Sequence, residues 1–171
     1  SDEYRFVPGV GIGSRGPVAS VALYTRKALG DIRHIALDTS SRTSVTLIQV
    51  LCRYHFHIDP AFVPHGPDLA AMTRMCDAGL LIGDPAFDAD HGALGLQKVD
   101  LGQVWTEMTG LPFIYAAWTG RPAGIDDDVV RAGGLDDAAF VGAAGGRHHP
   151  RAQRLADLHR GEADSARRAQ H

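Results

Sequence analysis

The chain has 171 residues, of which 17 are basic and 20 acidic, and 44% of its residues are apolar. This length suits one ordinary domain, or two small lobes, with a sizeable core. The formal charge of −3 excludes a generally basic protein that coats nucleic acid. Two cysteines without a Cys-x-x-Cys pair exclude a disulfide scaffold and give no zinc motif.

The sequence carries no signal for a membrane or for export. Its longest apolar run, residues 111–118, is far shorter than the roughly 20 residues of a membrane-spanning helix. The charged first residues do not resemble a signal peptide. We therefore expect a soluble protein of the cytoplasm.

Strands and helices alternate between residues 6 and 118. We predict strands at residues 18–24, 32–37, 61–63, 79–83, 96–101 and 112–118. Helices are predicted at 67–75, with Pro67 in the first turn, and at 102–109, ended by Gly110. A further helix follows residue 44, where Val45, Ile48 and Leu51 recur at helical spacing. Strands interleaved with helices of about ten residues predict an α/β fold with a mainly parallel sheet.

The composition changes beyond residue 125. Residues 141–171 hold six Arg, four His and seven Ala, with few large apolar side chains. Such a segment buries too little surface to offset the entropy of ordering it. We predict a domain over residues 1–125 and an atypical, partly disordered tail over 126–171. Metal binding by His148 and His149, contact with an anionic partner, and a change of reading frame remain alternatives for the tail.

The strongest candidate for a binding site is the polar cluster at residues 38–44. Six of its seven residues are Ser, Thr or Asp, and the seventh is Arg42. The first N–H groups of a helix lack internal partners, so hydroxyls and an arginine beside them can bind a carboxylate or phosphate. Plain helix capping is the alternative, although one cap needs only one hydroxyl. The cluster lacks the Gly-x-x-x-x-Gly-Lys of a P-loop, so a nucleoside triphosphate is not expected.

Two turns are further candidates. Ser14 and Arg15 precede a Gly-Pro break and either project into a cleft or form a surface turn. Gly83 and Asp84 follow a buried strand, at the end where ligands of parallel sheets bind, although Asp-Pro is also an ordinary turn signal. The glycines at 11–16 are followed by a strand, which excludes a dinucleotide fingerprint.

The remaining aromatic, sulfur and histidine side chains predict structure rather than chemistry. We expect Trp105 and Trp118 in the core rather than as ligand platforms, and Met72, Met75 and Cys76 in the core as well. His55 and His57 suit a helix end, where a cation interacts favourably with the helix dipole. No metalloenzyme spacing and no Gly-x-Ser-x-Gly motif is present.

Four motifs in series resemble one known family. They are Gly-Ser-Arg-Gly-Pro-Val at 13–18, Leu-Asp-Thr-Ser-Ser-Arg-Thr-Ser at 37–44, Leu-Ile-Gly-Asp-Pro-Ala at 81–86, and the segment 100–113 with Asp-Leu-Gly-Gln-Val-Trp. Together they look like the chorismate dehydratase family of the futalosine route to menaquinone. The resemblance implies a type II periplasmic-binding-protein fold with a ligand between two lobes, in a cytosolic enzyme. It also implies removal of water from chorismate to give 3-enolpyruvylbenzoate, without metal or organic cofactor.

The resemblance assigns roles to individual residues. The carboxylate of chorismate would be held by five residues of the polar cluster: Thr39, Ser40, Ser41, Arg42 and Thr43. Ser14 and Arg15 would line the crossover between the lobes, and Gly83 with Asp84 would complete the wall. Asp84 is the candidate catalytic residue.

The match to the family does not extend along the whole family sequence. The Tyr-Leu-Asn motif of its N-terminal part is not found, since the chain contains no Asn. We therefore expect an N-terminally truncated member with one largely complete lobe and part of the other, whose turnover is impaired. A non-catalytic module that binds small carboxylates and an inactive remnant of the enzyme are the alternatives.

Overall fold

A computed structural model of the chain describes residues 4–121 and 139–142. The tail predicted at 126–171, with His148 and His149, therefore lies outside the described residues except for one short segment. Its disorder stays a prediction.

Strands and helices alternate along the described residues. The strands are β1 (Arg5–Ser14), β2 (Val21–Thr25), β3 (His34–Asp38), β4 (Ala61–His65), β5 (Ala78–Ile82), β6 (Gln97–Asp100), β7 (Phe113–Gly120) and β8 (Ala139–Gly142). The α-helices are α1 (Arg42–Leu51), α2 (Leu69–Met75), α3 (Asp84–Asp88) and α4 (Leu101–Thr109). A 3-10 turn covers Leu29–Asp31, and a π-helical turn, Cys52–Phe56, follows α1.

The larger of two sheets has the strand order β4-β3-β5-β2-β6. β3 is parallel to β4 and β5, whereas β2 is antiparallel to both β5 and β6. Four of these five strands therefore run in one direction, which confirms the predicted mainly parallel sheet. In the smaller sheet, β1 pairs with β7 in antiparallel and with β8 in parallel orientation.

The larger sheet is covered on both faces, as β2 shows. Val21 and Leu23 belong to an apolar cluster with side chains of α1 and α4. Ala22 and Tyr24 belong to a second cluster with side chains of α2 and α3. Successive side chains of a strand point to opposite faces, so a strand covered on both sides needs a continuous apolar run. The result is a sheet between two helical layers, which confirms the α/β class.

Side-chain caps fix where three helices begin. Ser41, Asp68 and Asp100 precede α1, α2 and α4, and each accepts the backbone N–H three residues further on. Gly110, in the left-handed conformation, ends α4 as predicted.

Three predictions about single residues are wrong. Pro67 lies before the cap of α2 rather than in its first turn, because Asp68 supplies the capping oxygen. Met75 is 68% exposed at the end of α2, whereas Met72 is buried and Cys76 packs beside the second cluster. Trp118 is 39% exposed, because it lies in the smaller sheet and outside both apolar clusters.

Candidate functional site

The predicted binding segments meet at one edge of the larger sheet. β3 and β5 are parallel, so the turns that follow them lie at the same edge. β2 runs in the opposite direction and pairs Val21 with Ile82, so the segment before β2 lies there as well. β6 pairs Asp100 with Ala22 and brings the start of α4. We call this surface the carboxyl edge; its segments are 18–20, 38–43, 83–84 and 100–103. Ligands of open α/β sheets bind at such an edge.

Capping occupies only part of the polar cluster at the start of α1. The Oγ atom of Ser41 accepts the backbone N–H of Ser44 at 3.3 Å and its hydroxyl at 3.1 Å. The buried carboxylate of Asp38 accepts the backbone N–H of Ser40 at 2.9 Å. Capping therefore accounts for Ser41, Ser44 and Asp38 but not for the other side chains of the cluster.

The remaining side chains of the cluster are open to a ligand. Thr39, Ser40 and Arg42 are exposed and Thr43 is half-buried. Within residues 4–121, no hydrogen bond or ion pair engages any of these four side chains. They lie beside a helix start, where unpaired N–H groups and the helix dipole favour negative charge. This arrangement can bind a carboxylate.

Ser14 and Arg15 lie in different environments although they are neighbours in the chain. Ser14 is 3% exposed, and its hydroxyl donates to the carbonyl oxygen of Gly16 at 3.1 Å. The same Oγ lies 3.3 Å from the phenol oxygen of Tyr115, whose pKa is raised above its ordinary value mainly by burial. Arg15 is exposed. Of the two, only Arg15 presents its polar group to solvent.

Gly102 accounts for the close approach of α4 to β1 and β7. A Cβ atom at this position would lie 2.6 Å from the phenol oxygen of Tyr115 and 2.9 Å from the Oγ of Ser14. It would also lie 2.8 Å from the carbonyl oxygen of Gly16. Only glycine fits there, so the start of α4 is held directly against Ser14.

The turn after β5 combines a glycine and an exposed carboxylate. Gly83 has φ 71° and ψ −145°, a conformation that side chains oppose. No atom outside its chain neighbours lies within 4 Å of the position a Cβ would take, so a ligand can approach the backbone here. Asp84 begins α3 and is exposed.

Sequence reasoning missed two side chains at the end of β6, Lys98 and Asp100. The carboxylate of Asp100 accepts the backbone N–H groups of Val18 at 3.0 Å and of Ala19 at 2.6 Å, in addition to capping α4. The ammonium of Lys98 donates to the carbonyl of Ala19 at 3.0 Å. An aspartate before a helix predicts the cap, but no local signal predicts partners about 80 residues away.

A groove of about 400 Å³ lies between α1, α4 and β7. Arg42 and Thr43 line it together with Trp105 and Phe113, whose rings pack edge to face at a centroid distance of 5.1 Å. Trp105 packs against the first apolar cluster, as predicted, but its buried Nε1 has no hydrogen-bond partner among the described residues. The groove thus places aromatic rings next to two of the predicted anion-binding residues.

The described residues contain no group of three His, Cys, Asp or Glu side chains placed to share a metal ion. His57, with φ 55°, ends the π-helical turn after α1, and His55 lies within that turn, in agreement with their predicted position near a helix end.

Comparison with known proteins identifies the family. A family model described as menaquinone biosynthesis matches residues 1–136. The chain belongs to this menaquinone biosynthesis family. A chorismate dehydratase of Thermus thermophilus is 29% identical over 135 residues, which cover 70% of this chain and 49% of that protein. The resemblance to the chorismate dehydratase family is thereby confirmed.

A solved structure has a fold similar to that of this chain. Protein AF1704 of Archaeoglobus fulgidus aligns with a TM-score of 0.53 at 22% identity, over 76% of this chain and 47% of that chain. At this identity the likeness shows the fold alone. The chain spans about half the length of the curated relative it matches. None of the helices in the described part of this family member is both long and apolar enough to span a bilayer.

Proposed function

We propose that this chain supplies the anion-binding lobe of a lyase that dehydrates chorismate to 3-enolpyruvylbenzoate in the futalosine route to menaquinone. The name of the Thermus relative and the family description support the reaction. The uncommitted polar side chains at the start of α1 support the substrate class, because chorismate is a dianion. By the same family resemblance, the reaction needs neither a metal nor an organic cofactor, and the enzyme works in the cytosol.

The observation that carries this proposal is the separation of capping from binding at the start of α1. Ser41 already caps the N-terminus of α1, so Thr39, Ser40 and Arg42 are not needed for capping. Arg42 offers two parallel N–H groups to a carboxylate, and the hydroxyls donate beside it. Thr43 completes this half of the binding surface, and Ser41, whose Oγ accepts from Ser44, still has its own hydroxyl hydrogen to donate to the ligand.

The main task of the protein in this reaction is to position the substrate. Elimination removes a proton and a hydroxide from the ring, and the ring becomes aromatic, so the reaction is strongly downhill. The enzyme has to hold the ring still and to assist proton transfer. Asp84 is the exposed carboxylate at the carboxyl edge that we assign to this transfer, with Gly83 as the wall beside it. By the family resemblance, Ser14 and Arg15 line the crossover between the lobes; Arg15 is exposed, whereas Ser14 is buried against Tyr115.

The fold fits a type II periplasmic-binding-protein lobe. Its larger sheet has four strands in one direction and a single antiparallel strand, β2, between β5 and β6. β1 and β7 form the antiparallel ribbon that would connect this lobe to the other one.

A non-catalytic role is the second candidate, and one observation favours it. The ribbon of β1 and β7 exposes large apolar side chains, namely Phe6, Ile12, Ile114 and Trp118. Exposed apolar patches mark surfaces that pack against something else. A module that binds the carboxylate without turnover, or an inactive remnant, would show this feature.

Two measurements on the purified chain separate these functions. Incubation with chorismate, followed by detection of 3-enolpyruvylbenzoate, tests the enzyme. Calorimetric titration with 3-enolpyruvylbenzoate tests binding without turnover. Product formation supports the lyase, and binding without product supports the binding module. If the chain forms no product and binds no ligand, the inactive remnant is supported.

A further inference from the structure

We propose that Lys98 and Asp100 are positioning residues that together hold the Gly83–Asp84 turn in its binding conformation. This inference rests on the proposed function, because it concerns the same edge. The two residues are neighbours on one face of β6, separated by Val99. We call them the β6 clamp.

Asp100 holds one side of the turn before β2. Its carboxylate receives N–H groups from Val18 and Ala19, the latter at 2.6 Å. Ala19 has φ 59°, a left-handed conformation that carries an energetic cost for an alanine. The short hydrogen bond from the strained residue to a carboxylate is an interaction strong enough to offset that cost.

Lys98 holds the other side of the same turn and reaches α3 as well. Its ammonium donates to the carbonyl oxygen of Ala19 at 3.0 Å and to that of Ala86 at 3.4 Å. The hydroxyl of Tyr24 also donates to Ala86, at 2.8 Å. Burial, together with the charge of Asp100, raises the pKa of Tyr24 to about 12, so this phenol remains a donor.

The clamp reaches Gly83 through one further hydrogen bond. The N–H of Gly83 donates to the carbonyl oxygen of Ser20 at 2.7 Å, and Ser20 directly follows the strained Ala19. Gly83 is therefore fixed through Ser20, and Ala86, on the first turn of α3, is fixed by Lys98 and Tyr24. Asp84 lies between these two fixed points. An elimination needs its proton acceptor placed to within a fraction of an ångström, so losing either fixed point costs binding and rate.

The experiment compares the clamp with a matched pair at the other edge of the sheet. The variants Asp100→Asn and Lys98→Met test the clamp, and Asp77→Asn and Lys27→Met are the controls, since Asp77 also accepts two backbone N–H groups and faces a lysine. Affinity for 3-enolpyruvylbenzoate is measured by calorimetry, and exchange of the Gly83 amide hydrogen is measured without ligand. We expect each clamp variant to weaken binding about tenfold and to accelerate Gly83 exchange, and the controls to change neither.

The two readouts distinguish the failure of this inference from the failure of the proposed function. Unchanged affinity in Lys98→Met and Asp100→Asn, while the unaltered chain binds, overturns the positioning role. If the unaltered chain does not bind, the proposed function is overturned, and the ligand-free exchange of Gly83 still decides whether the clamp exists. Lys98→Met loses no carboxylate, so it provides the test even if Asp100→Asn does not fold.

Discussion

The two edges of the larger sheet use the same pair of residue types in different ways. The chain contains only two lysines, and each lies near an aspartate, Lys98 with Asp100 at the carboxyl edge and Lys27 with Asp77 at the opposite edge. We call the latter the amino edge; its segments are 25–27, 33–34 and 77. At the amino edge the charges bind each other, with Nζ and Oδ1 2.6 Å apart. At the carboxyl edge both charges bind the backbone of one strained turn.

This difference separates a residue that holds a fold from one that shapes a site. Asp77 accepts the N–H groups of Arg33 and His34, at 2.8 and 3.0 Å, and thereby joins β5 to the start of β3. No side chain predicted to bind a ligand lies there. Asp100 joins the start of α4 to the residues before β2, one of which, Ala19, has a positive φ. We therefore expect changes at Asp77 to alter stability alone, and changes at Asp100 to alter stability and binding together.

Removal of Asp100 should have the largest effect on stability. Asp100→Ala leaves the N–H groups of Val18, Ala19 and Gln103 without their acceptor and releases the strained turn. Hydrogen bonds to a charged group contribute about 1.5–3 kcal/mol each and are not additive, so we expect a loss of about 3 kcal/mol. Urea unfolding measures it. Asp77→Ala is the control, with an expected loss of about 2 kcal/mol, and an equal or larger loss there would contradict the ranking.

How much of this could be predicted from the sequence depends on the range of the interactions. The apolar, β-compatible run at 18–24 predicts the strand β2, and the helical spacing after residue 44 predicts α1. The start of α1 was recognised because its hydroxyls are contiguous. The β6 clamp is not predictable in this way, because Asp100 and Ala19 are 81 residues apart. The same holds for the contact of Ser14 with Tyr115, which are 101 residues apart. The prediction that Trp118 lies in the core is wrong because strand periodicity does not show which face of a sheet other elements cover.

Arg42 should contribute to binding and not to folding. Its guanidinium is exposed, and no described residue pairs with it, so Arg42→Ala removes only a partner of the ligand. We expect the affinity for 3-enolpyruvylbenzoate to fall by about 1.5–3 kcal/mol, the contribution of a charge-assisted hydrogen bond, with unchanged unfolding in urea. Arg33→Ala, an exposed arginine of the amino edge, should leave the affinity unaltered. Equal affinity of Arg42→Ala and the unaltered chain would remove Arg42 from the site.

Acid should destabilise the protein in part through the amino edge. The hydrogen bond from Lys27, with those from the Arg33 and His34 backbone, lowers the pKa of Asp77 from 3.8 to about 2. A carboxylate whose pKa is lowered by folding stabilises the protein fully above its unfolded pKa. That contribution is lost as the pH falls from about 4 through 2.

The size of this effect is limited by the exposure of Lys27, whose side chain is half exposed. We expect Asp77 to contribute about 1–2 kcal/mol above pH 5. The measurement is urea unfolding of the unaltered chain and Asp77→Asn between pH 2 and 6. The two stability curves should converge toward pH 2, and a constant separation over this range would show that the ionisation of Asp77 is not the cause.

We expect the smallest effect from replacing the strained residue that lies near each edge. Ala19 at the carboxyl edge and His57, which precedes β4 at the amino edge, have positive φ among the described non-glycine residues. Glycine adopts this conformation freely but is more flexible when unfolded, so Ala19→Gly and His57→Gly should each stabilise by about 0.5 kcal/mol. Neither should change the affinity for 3-enolpyruvylbenzoate by more than about twofold, since Asp100 and Lys98 still hold the turn around residue 19. A large loss of affinity in Ala19→Gly alone would mean that the alanine itself, and not the β6 clamp, keeps the carboxyl edge in its binding shape.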